Sequence, residues 1–138
     1  MNGKLRKTSA LVITLVALMG NAYAATTACP ATNAITQAFK KTATGEIVVY
    51  TAPGPGGQQW TGKNPMSDQS DLRQVKFEGA VIQSNKGQTF VACHYLDLNN
   101  EAMSMTLKNQ VNTTPLGAAW EGKECKETNP ALCTFHYR

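Results

Sequence analysis

Four cysteines set the strongest limit on what this chain can fold into. Cys29, Cys93, Cys125 and Cys133 all lie in the last 114 residues of the 138-residue chain. An even number of cysteines is typical of disulfide pairs when a chain enters an oxidising compartment. Four cysteines allow three pairings. The turn residues 127–130 favour Cys125–Cys133, which leaves Cys29–Cys93 as the second disulfide.

Residues 1–24 have the three parts of a secretory signal peptide. Three basic residues precede an apolar run at 10–19, and an A-x-A processing site ends at Ala24. The run is shorter than the ~20 apolar residues that cross a membrane, so we expect no transmembrane segment in the mature chain. We expect residues 25–138 to form one domain in the periplasm, unless the chain is secreted beyond it.

The charge of the chain belongs mostly to this signal. The whole chain has a formal charge of +4, whereas residues 25–138 carry ten cations against nine carboxylates. Nucleic-acid binding needs a basic stripe with interleaved aromatic residues, and a near-neutral mature chain with scattered lysines lacks one. We therefore expect no nucleic-acid partner.

Short segments rich in β-branched and aromatic residues predict an all-β domain. Glycine-containing turns join them into two hairpins, and strict alternation marks the remaining strands. The predicted strands are residues 46–51, 58–61, 75–83, 89–97, 103–107 and 133–137, with 120–125 as the neighbour of the last one. The expected fold is a small antiparallel barrel or sandwich, stapled by disulfides.

Helix is scarce in this sequence. A capping serine and early carboxylates predict a short helix over residues 67–74. Residues 32–43 leave two alternatives, because Ile35 and Phe39 are spaced as on a helix face, whereas Thr44-Gly45 equally suits a turn between strands. At most one or two short helices are therefore expected.

The segment from Trp60 to Leu72 is the strongest candidate for a binding loop. A tryptophan flanked by Gly, Lys, Asn and Pro is typical of an exposed aromatic anchor at an interface. The alternative is a tryptophan that begins a strand and covers the core. The candidate binding residues are Trp60, Lys63, Asn64, Asp68 and Asp71.

Two histidines and two methionines raise the question of a metal site. His94 and His136 each follow a cysteine closely, as in zinc sites, but we expect the thiols to be in disulfides. Met103 and Met105 are soft ligands that suit Cu(I), and a strand that buries them against the core explains them without metal. We expect no metal or other cofactor, with copper binding as an alternative.

Catalytic motifs are missing from the sequence. It contains no G-x-S-x-G, no H-E-x-x-H and no phosphate-binding glycine motif. Its few carboxylates have no spacing that marks an acid and base pair, and cysteines in disulfides supply no nucleophile. The sequence therefore predicts a protein that is not an enzyme.

Scattered positions of the mature chain resemble a family of small exported proteins of unknown function from Gram-negative bacteria. The positions are Cys29-Pro30, Tyr50-Thr-Ala-Pro-Gly54, Trp60-x-Gly62, Phe77-x-Gly79-Ala80 and Cys93-x-Tyr95. The resemblance implies a periplasmic or secreted β-rich domain without an assigned reaction.

A second resemblance is to the membrane-bound and periplasmic inhibitors of C-type lysozyme, which are small exported β-barrels with disulfides. Their Ser-Gly-Ala-x-Tyr stretch enters the lysozyme active site. The nearest stretch here is Glu78-Gly-Ala-Val-Ile82, with Glu and Ile in place of the two hydroxyl residues.

Together these features predict a periplasmic, non-enzymatic protein. It would act by contact with another envelope or secreted protein, for example as an accessory of a secretion system or of virulence. Lysozyme inhibition and copper binding are the alternative functions.

Overall fold

The computed structural model describes residues 25–64, 72–107, 110 and 112–138, so the predicted signal peptide lies outside the described residues. The described chain consists of antiparallel strands and single 3₁₀ turns, without an α-helix. The strands are β1 Ala25–Ala28, β2 Thr36–Thr42, β3 Gly45–Pro53, β4 Gln59–Asn64, β5 Lys76–Asn85, β6 Gln88–Leu96, β7 Ala102–Leu107, β8 Thr113–Leu116, β9 Trp120–Glu121, β10 Glu124–Cys125 and β11 Thr134–Tyr137. The 3₁₀ turns are Thr32–Ala34, Pro55–Gly57, Leu72–Gln74 and Pro130–Leu132. The prediction of an all-β domain is confirmed.

The strands form two antiparallel sheets. The large sheet has eight strands in the order β2-β3-β4-β7-β6-β5-β10-β9, and the small sheet has three in the order β1-β11-β8. The large sheet does not close, because β2 and β9 remain as its two edges. Of the two architectures that the sequence predicts, the barrel is therefore wrong, and the open sheets form a sandwich.

Local turn chemistry explains the central hairpin of β5 and β6. Their two-residue turn, Lys86-Gly87, has φ angles of 51° and 79°. Two successive positive φ values are those of a type I′ turn, whose twist matches that of the flanking strands. The hairpins predicted over residues 75–97 and 46–61 are both confirmed.

Alternating apolar residues form the core between the sheets. Met103, Met105 and Leu107 of β7 are all buried, as their alternation predicts. From the small sheet, Phe135 packs edge-on against Trp60 of β4, with the ring centroids 6.1 Å apart. Burial of such large side chains contributes about 1.5–3 kcal/mol each, so this layer holds the two sheets together.

Two disulfides join the layers. Cys29–Cys93 connects the residue after β1 to β6, and Cys125–Cys133 connects β10 to the residue before β11. Each bond links the large sheet to a segment that borders a strand of the small sheet. The favoured pairing is confirmed, and all four cysteines are buried.

Three sequence predictions need correction or completion. Residues 32–43 form a 3₁₀ turn and then β2, so the strand alternative is the right one. The described part of the predicted helix at 67–74 is only the 3₁₀ turn Leu72–Gln74, and its earlier residues lie outside the described residues. Residues 120–125 do not pair with the last strand: β10 pairs with β5, because the turn at Pro130–Leu132 carries the chain over to the small sheet.

No helix among the described residues is long and apolar enough to cross a membrane.

Candidate functional site

Trp60 is a core residue rather than a surface anchor. Strand β4 begins at Gln59, so the indole of Trp60 points inward, and only 1% of the residue is exposed. A buried side chain offers no area to a partner. The prediction of an exposed tryptophan anchor is therefore wrong, and the alternative of a tryptophan at a strand start is confirmed.

The other predicted binding residues are not brought together either. Lys63 is exposed on the outer face of β4, whereas Asn64 is half-buried on the inner side, opposite Val48. Asp68 and Asp71 lie outside the described residues. Because successive residues of a strand point to opposite faces, Lys63 and Asn64 cannot contact one ligand from the same side of the sheet.

The potential metal ligands are separated and already engaged. Met103 and Met105 are packed in the core. His94 Nδ1 lies 2.7 Å from Ser104 Oγ on the large sheet, and His136 Nδ1 lies 2.8 Å from Thr26 Oγ1 on the small one. Within the described residues, no group of three or more His, Cys, Asp and Glu could hold a metal ion.

An open groove of about 990 Å³ runs beside the first half of β5. We call it the β5 groove. Three segments that are distant in sequence line it: residues 28–33, 75–78 and 126–131. The volume is in the range of ligand-binding clefts, and the open shape suits an extended chain rather than an enclosed small molecule.

Strand β5 presents an unpaired backbone edge to this groove. On that side β10 pairs with β5 at only two residues, Ala80 and Val81. From Lys76 to Glu78 the same edge therefore has no strand partner among the described residues, while β6 pairs on the other side with Lys76 and Phe77 and skips Glu78 at a shift of register. Free backbone N–H and C=O groups at a strand edge are a template for another extended chain.

One wall of the groove is fixed by Cys29 and its neighbour Pro30. The disulfide to Cys93 ties Cys29 to β6, and the buried Tyr95 hydroxyl donates a hydrogen bond to the Pro30 carbonyl at 2.6 Å. Burial raises the pKa of Tyr95, so its phenol stays protonated and keeps donating. The Tyr95 ring also packs edge-on against Phe77, 5.4 Å away, on the groove floor.

The opposite wall is the loop enclosed by the Cys125–Cys133 disulfide. Within it Asn129 Oδ1 accepts a hydrogen bond from the Ala131 amide at 3.1 Å, and the Asn129 carbonyl accepts from the Leu132 amide at 3.1 Å. These bonds and the disulfide hold the 3₁₀ turn that closes the loop. Both walls are therefore preorganised, which reduces the entropy lost on binding.

The groove carries charges of both signs. Its lining includes Lys76, Glu78, Lys126 and Glu127. The Lys126 ammonium lies 3.8 Å from the exposed Glu124 carboxylate, an ion pair that water screens strongly. Such mixed charges select neither cations nor anions, and the unpaired backbone edge is the feature most able to hold a partner.

Sequence reasoning missed this groove. Its walls come from segments whose proximity depends on the disulfides and on the pairing of β10 with β5. The one local signal was Gly79 in the Phe77-x-Gly79-Ala80 motif. Gly79 has a φ of 152°, and a Cβ there would collide with the Cys125 carbonyl oxygen, so only glycine lets β10 end against β5.

A family model for proteins of unknown function, DUF3757, matches residues 24–136. The chain belongs to the DUF3757 family. The match spans all four cysteines and every segment of the β5 groove in this DUF3757 chain. The resemblance to an uncharacterised family is confirmed, while Gram-negative origin stays a prediction. Neither the curated proteins nor the solved structures gave a match to the chain.

Proposed function

We propose that this DUF3757 chain is an exported, non-enzymatic protein that binds an extended segment of another envelope or secreted protein in the β5 groove. The sequence of residues 1–24 supports export to the periplasm. The two disulfides support a working place in an oxidising compartment. A role as an accessory of secretion or virulence is the finer form of the same proposal.

The unpaired edge of β5 is the observation that carries the proposal. A partner strand laid along Lys76–Glu78 would continue the ladder that β10 begins at Ala80. Main-chain hydrogen bonds would supply affinity, and alternate side chains would meet the two walls. The fixed walls favour binding of a strand that is already extended over remodelling of the groove.

The Glu78–Ile82 stretch favours strand addition over lysozyme inhibition by insertion. The end of this stretch lies between β6 and β10, which both pair with Ala80 and Val81, and Ile82 is 5% exposed. A segment with partners on both sides cannot enter the active site of an enzyme. The buried Met103 and Met105 likewise give copper binding no accessible ligand pair.

Site-specific photocrosslinking in the cells that export the chain tests the proposal. A photoreactive residue replaces Lys126, which lines the groove, or Lys123, an exposed lysine outside the groove lining. We expect a covalent adduct with a defined protein from position 126 and none from position 123. Equal adducts from both positions, or none from either, would contradict binding in the groove.

A groove-filling variant provides a second test. Thr128→Trp places a large side chain in the exposed part of the groove, and Thr44→Trp does the same in the β2–β3 turn. We expect Thr128→Trp alone to remove the adduct from position 126. If the purified mature protein slows lysis of a cell-wall suspension by lysozyme, and Thr128→Trp does not change this, inhibition replaces the proposal.

A further inference from the structure

Strand β2 is a second open edge, remote from the β5 groove in the strand order. It pairs with β3 on one side and, among the strands that the structure describes, ends the large sheet on the other. Six of its seven residues are exposed. Natural proteins usually shorten or cover such edges, because the outward-facing backbone groups of an edge strand readily pair with another strand.

Phe39 gives this edge an apolar anchor. The residue is 53% exposed, although its cross-strand neighbour Val48 is fully buried. The other large hydrophobic residues with comparable exposure in the described chain, Leu98 and Leu132, lie outside the strands. An exposed aromatic ring at the centre of an open strand is the kind of residue that dominates interface energies.

Positive charge lies on the edge strand itself and on β4, two strands away. Strands β2 to β4 carry three lysines, Lys40, Lys41 and Lys63, against one carboxylate, Glu46. Glu46 lies opposite Lys41 in the ladder. Lys40 and Lys63 are on the other face, where β2, β3 and β4 carry no carboxylate, so their charge is not balanced within these strands.

We infer that β2 binds an acidic, extended segment of a partner protein, which adds to the large sheet as a further strand. The backbone edge supplies the hydrogen bonds, Phe39 supplies an apolar contact, and Lys40 with Lys63 select carboxylates. A second copy of this chain is disfavoured, because pairing of two β2 strands would bring their lysines together. The inference rests on a different edge from the proposed function, and either can fail alone.

The probes are three nine-residue peptides, and binding to the purified mature protein is measured by fluorescence anisotropy. The first alternates Glu and Val, the second alternates Lys and Val, and the third is the first with alternate amides N-methylated. We expect the Glu peptide to bind about tenfold more tightly than the Lys peptide at low salt. N-methylation should abolish binding, since it removes the donors that pair with β2.

Charge reversal supplies the matched variants. Lys40→Glu with Lys63→Glu should reverse the peptide preference, whereas Lys86→Glu with Lys123→Glu changes the net charge equally at exposed sites elsewhere and should preserve it. Phe39→Ala should weaken Glu-peptide binding about fivefold or more. If the double variant Lys40→Glu with Lys63→Glu does not fold, the double variant Lys40→Gln with Lys63→Gln takes its place. It should abolish the preference for the Glu peptide over the Lys peptide.

Several outcomes would overturn the inference. Equal affinity for the Glu and Lys peptides, no binding, or an unchanged preference after charge reversal at Lys40 and Lys63 each excludes an acidic strand. Sedimentation that shows a dimer lost on Phe39→Ala would assign the edge to a second copy. Thr128→Trp in the β5 groove should leave Glu-peptide binding unchanged, and this separates the two sites.

Discussion

Gln110 replaces a backbone partner that the sheet does not supply. Strand β7 ends at Leu107, so the Val91 amide of β6 donates instead to Gln110 Oε1 at 2.9 Å. The same oxygen accepts from Thr113 Oγ1 at 3.0 Å, and Gln110 is 4% exposed. Buried backbone groups need a hydrogen-bond partner. The Gln110 side chain supplies one to β6 where β7 has ended, and it also contacts the first residue of β8.

Replacing Gln110 with alanine should leave the buried Val91 amide without an acceptor, whereas the Thr113 hydroxyl keeps the Thr89 carbonyl at 2.9 Å. We expect Gln110→Ala to lower the free energy of unfolding by about 1–3 kcal/mol, measured by urea denaturation. Gln83→Ala, at an exposed position of β5, is the control and should stay within about 0.5 kcal/mol of the unmodified protein. Equal effects would show that Gln110 is not needed to satisfy β6.

Tyr95 should make the fold sensitive to alkali. Burial raises the pKa of Tyr95 above its unfolded value of about 10, so the stability it contributes is full below that pH and is lost as pH rises further. Tyr95→Phe should lower stability near pH 7, because the Pro30 carbonyl loses its donor, and should reduce the further loss above pH 10. Urea midpoints of both proteins at about pH 7 and pH 10.5 provide the check. If the two proteins lose stability equally between these pH values, ionisation of Tyr95 is not the cause of the loss.

Trp60 and Phe39 mark the limit of reading single residues from the sequence. Both are aromatic residues near polar neighbours, and for Trp60 the sequence left both an exposed anchor and a core position open. The structure buries Trp60 and exposes Phe39, because the small sheet covers β4 but does not cover Phe39 on the edge strand. Exposure here depends on the position of a strand within the sheet, which the local sequence does not encode.

The junction of β5 and β10 is the element that leaves the groove open. Gly79→Ala should disrupt it, since the new Cβ meets the Cys125 carbonyl, which is backbone and cannot rotate away. Gly45 also has a positive φ, of 129°, but open space around it. Gly45→Ala should therefore lower the stability by only about 1–2 kcal/mol, the cost of backbone strain, and Gly79→Ala should lower it clearly more. Thermal denaturation compares the two variants. Equal losses of stability would show that β10 can move away from the new Cβ at little cost.

Elements made by local chemistry could be predicted, and those made by distant pairing could not. The turn at Lys86-Gly87 and the alternation of Met103, Met105 and Leu107 specified their strands directly. The disulfide pairing was favoured correctly because turn residues separate Cys125 from Cys133. By contrast, β10 is only two residues long, and its partner β5 lies about forty residues earlier in the chain. Two residues are too few for a periodic pattern that would predict this pairing.

For the whole molecule, the position of β1 sets a requirement on export. Strand β1 begins at Ala25, directly after the predicted processing site, and pairs with the full length of β11. We expect the exported protein to start at Ala25, as determined by N-terminal sequencing and intact mass. A start four or more residues later would remove β1, and would contradict both the processing site and the three-stranded small sheet.

The pairing of β1 with β11 also orders the events of folding in time. A chain exported by the proposed signal peptide crosses its membrane from the N-terminus, so β1 would be the first strand to cross. Its ladder partner among the described strands, β11, follows more than a hundred residues later in the chain. The small sheet thus cannot be completed until β11 has crossed as well. Until then the inner face of the large sheet lacks its cover, and the partly folded chain needs protection from aggregation.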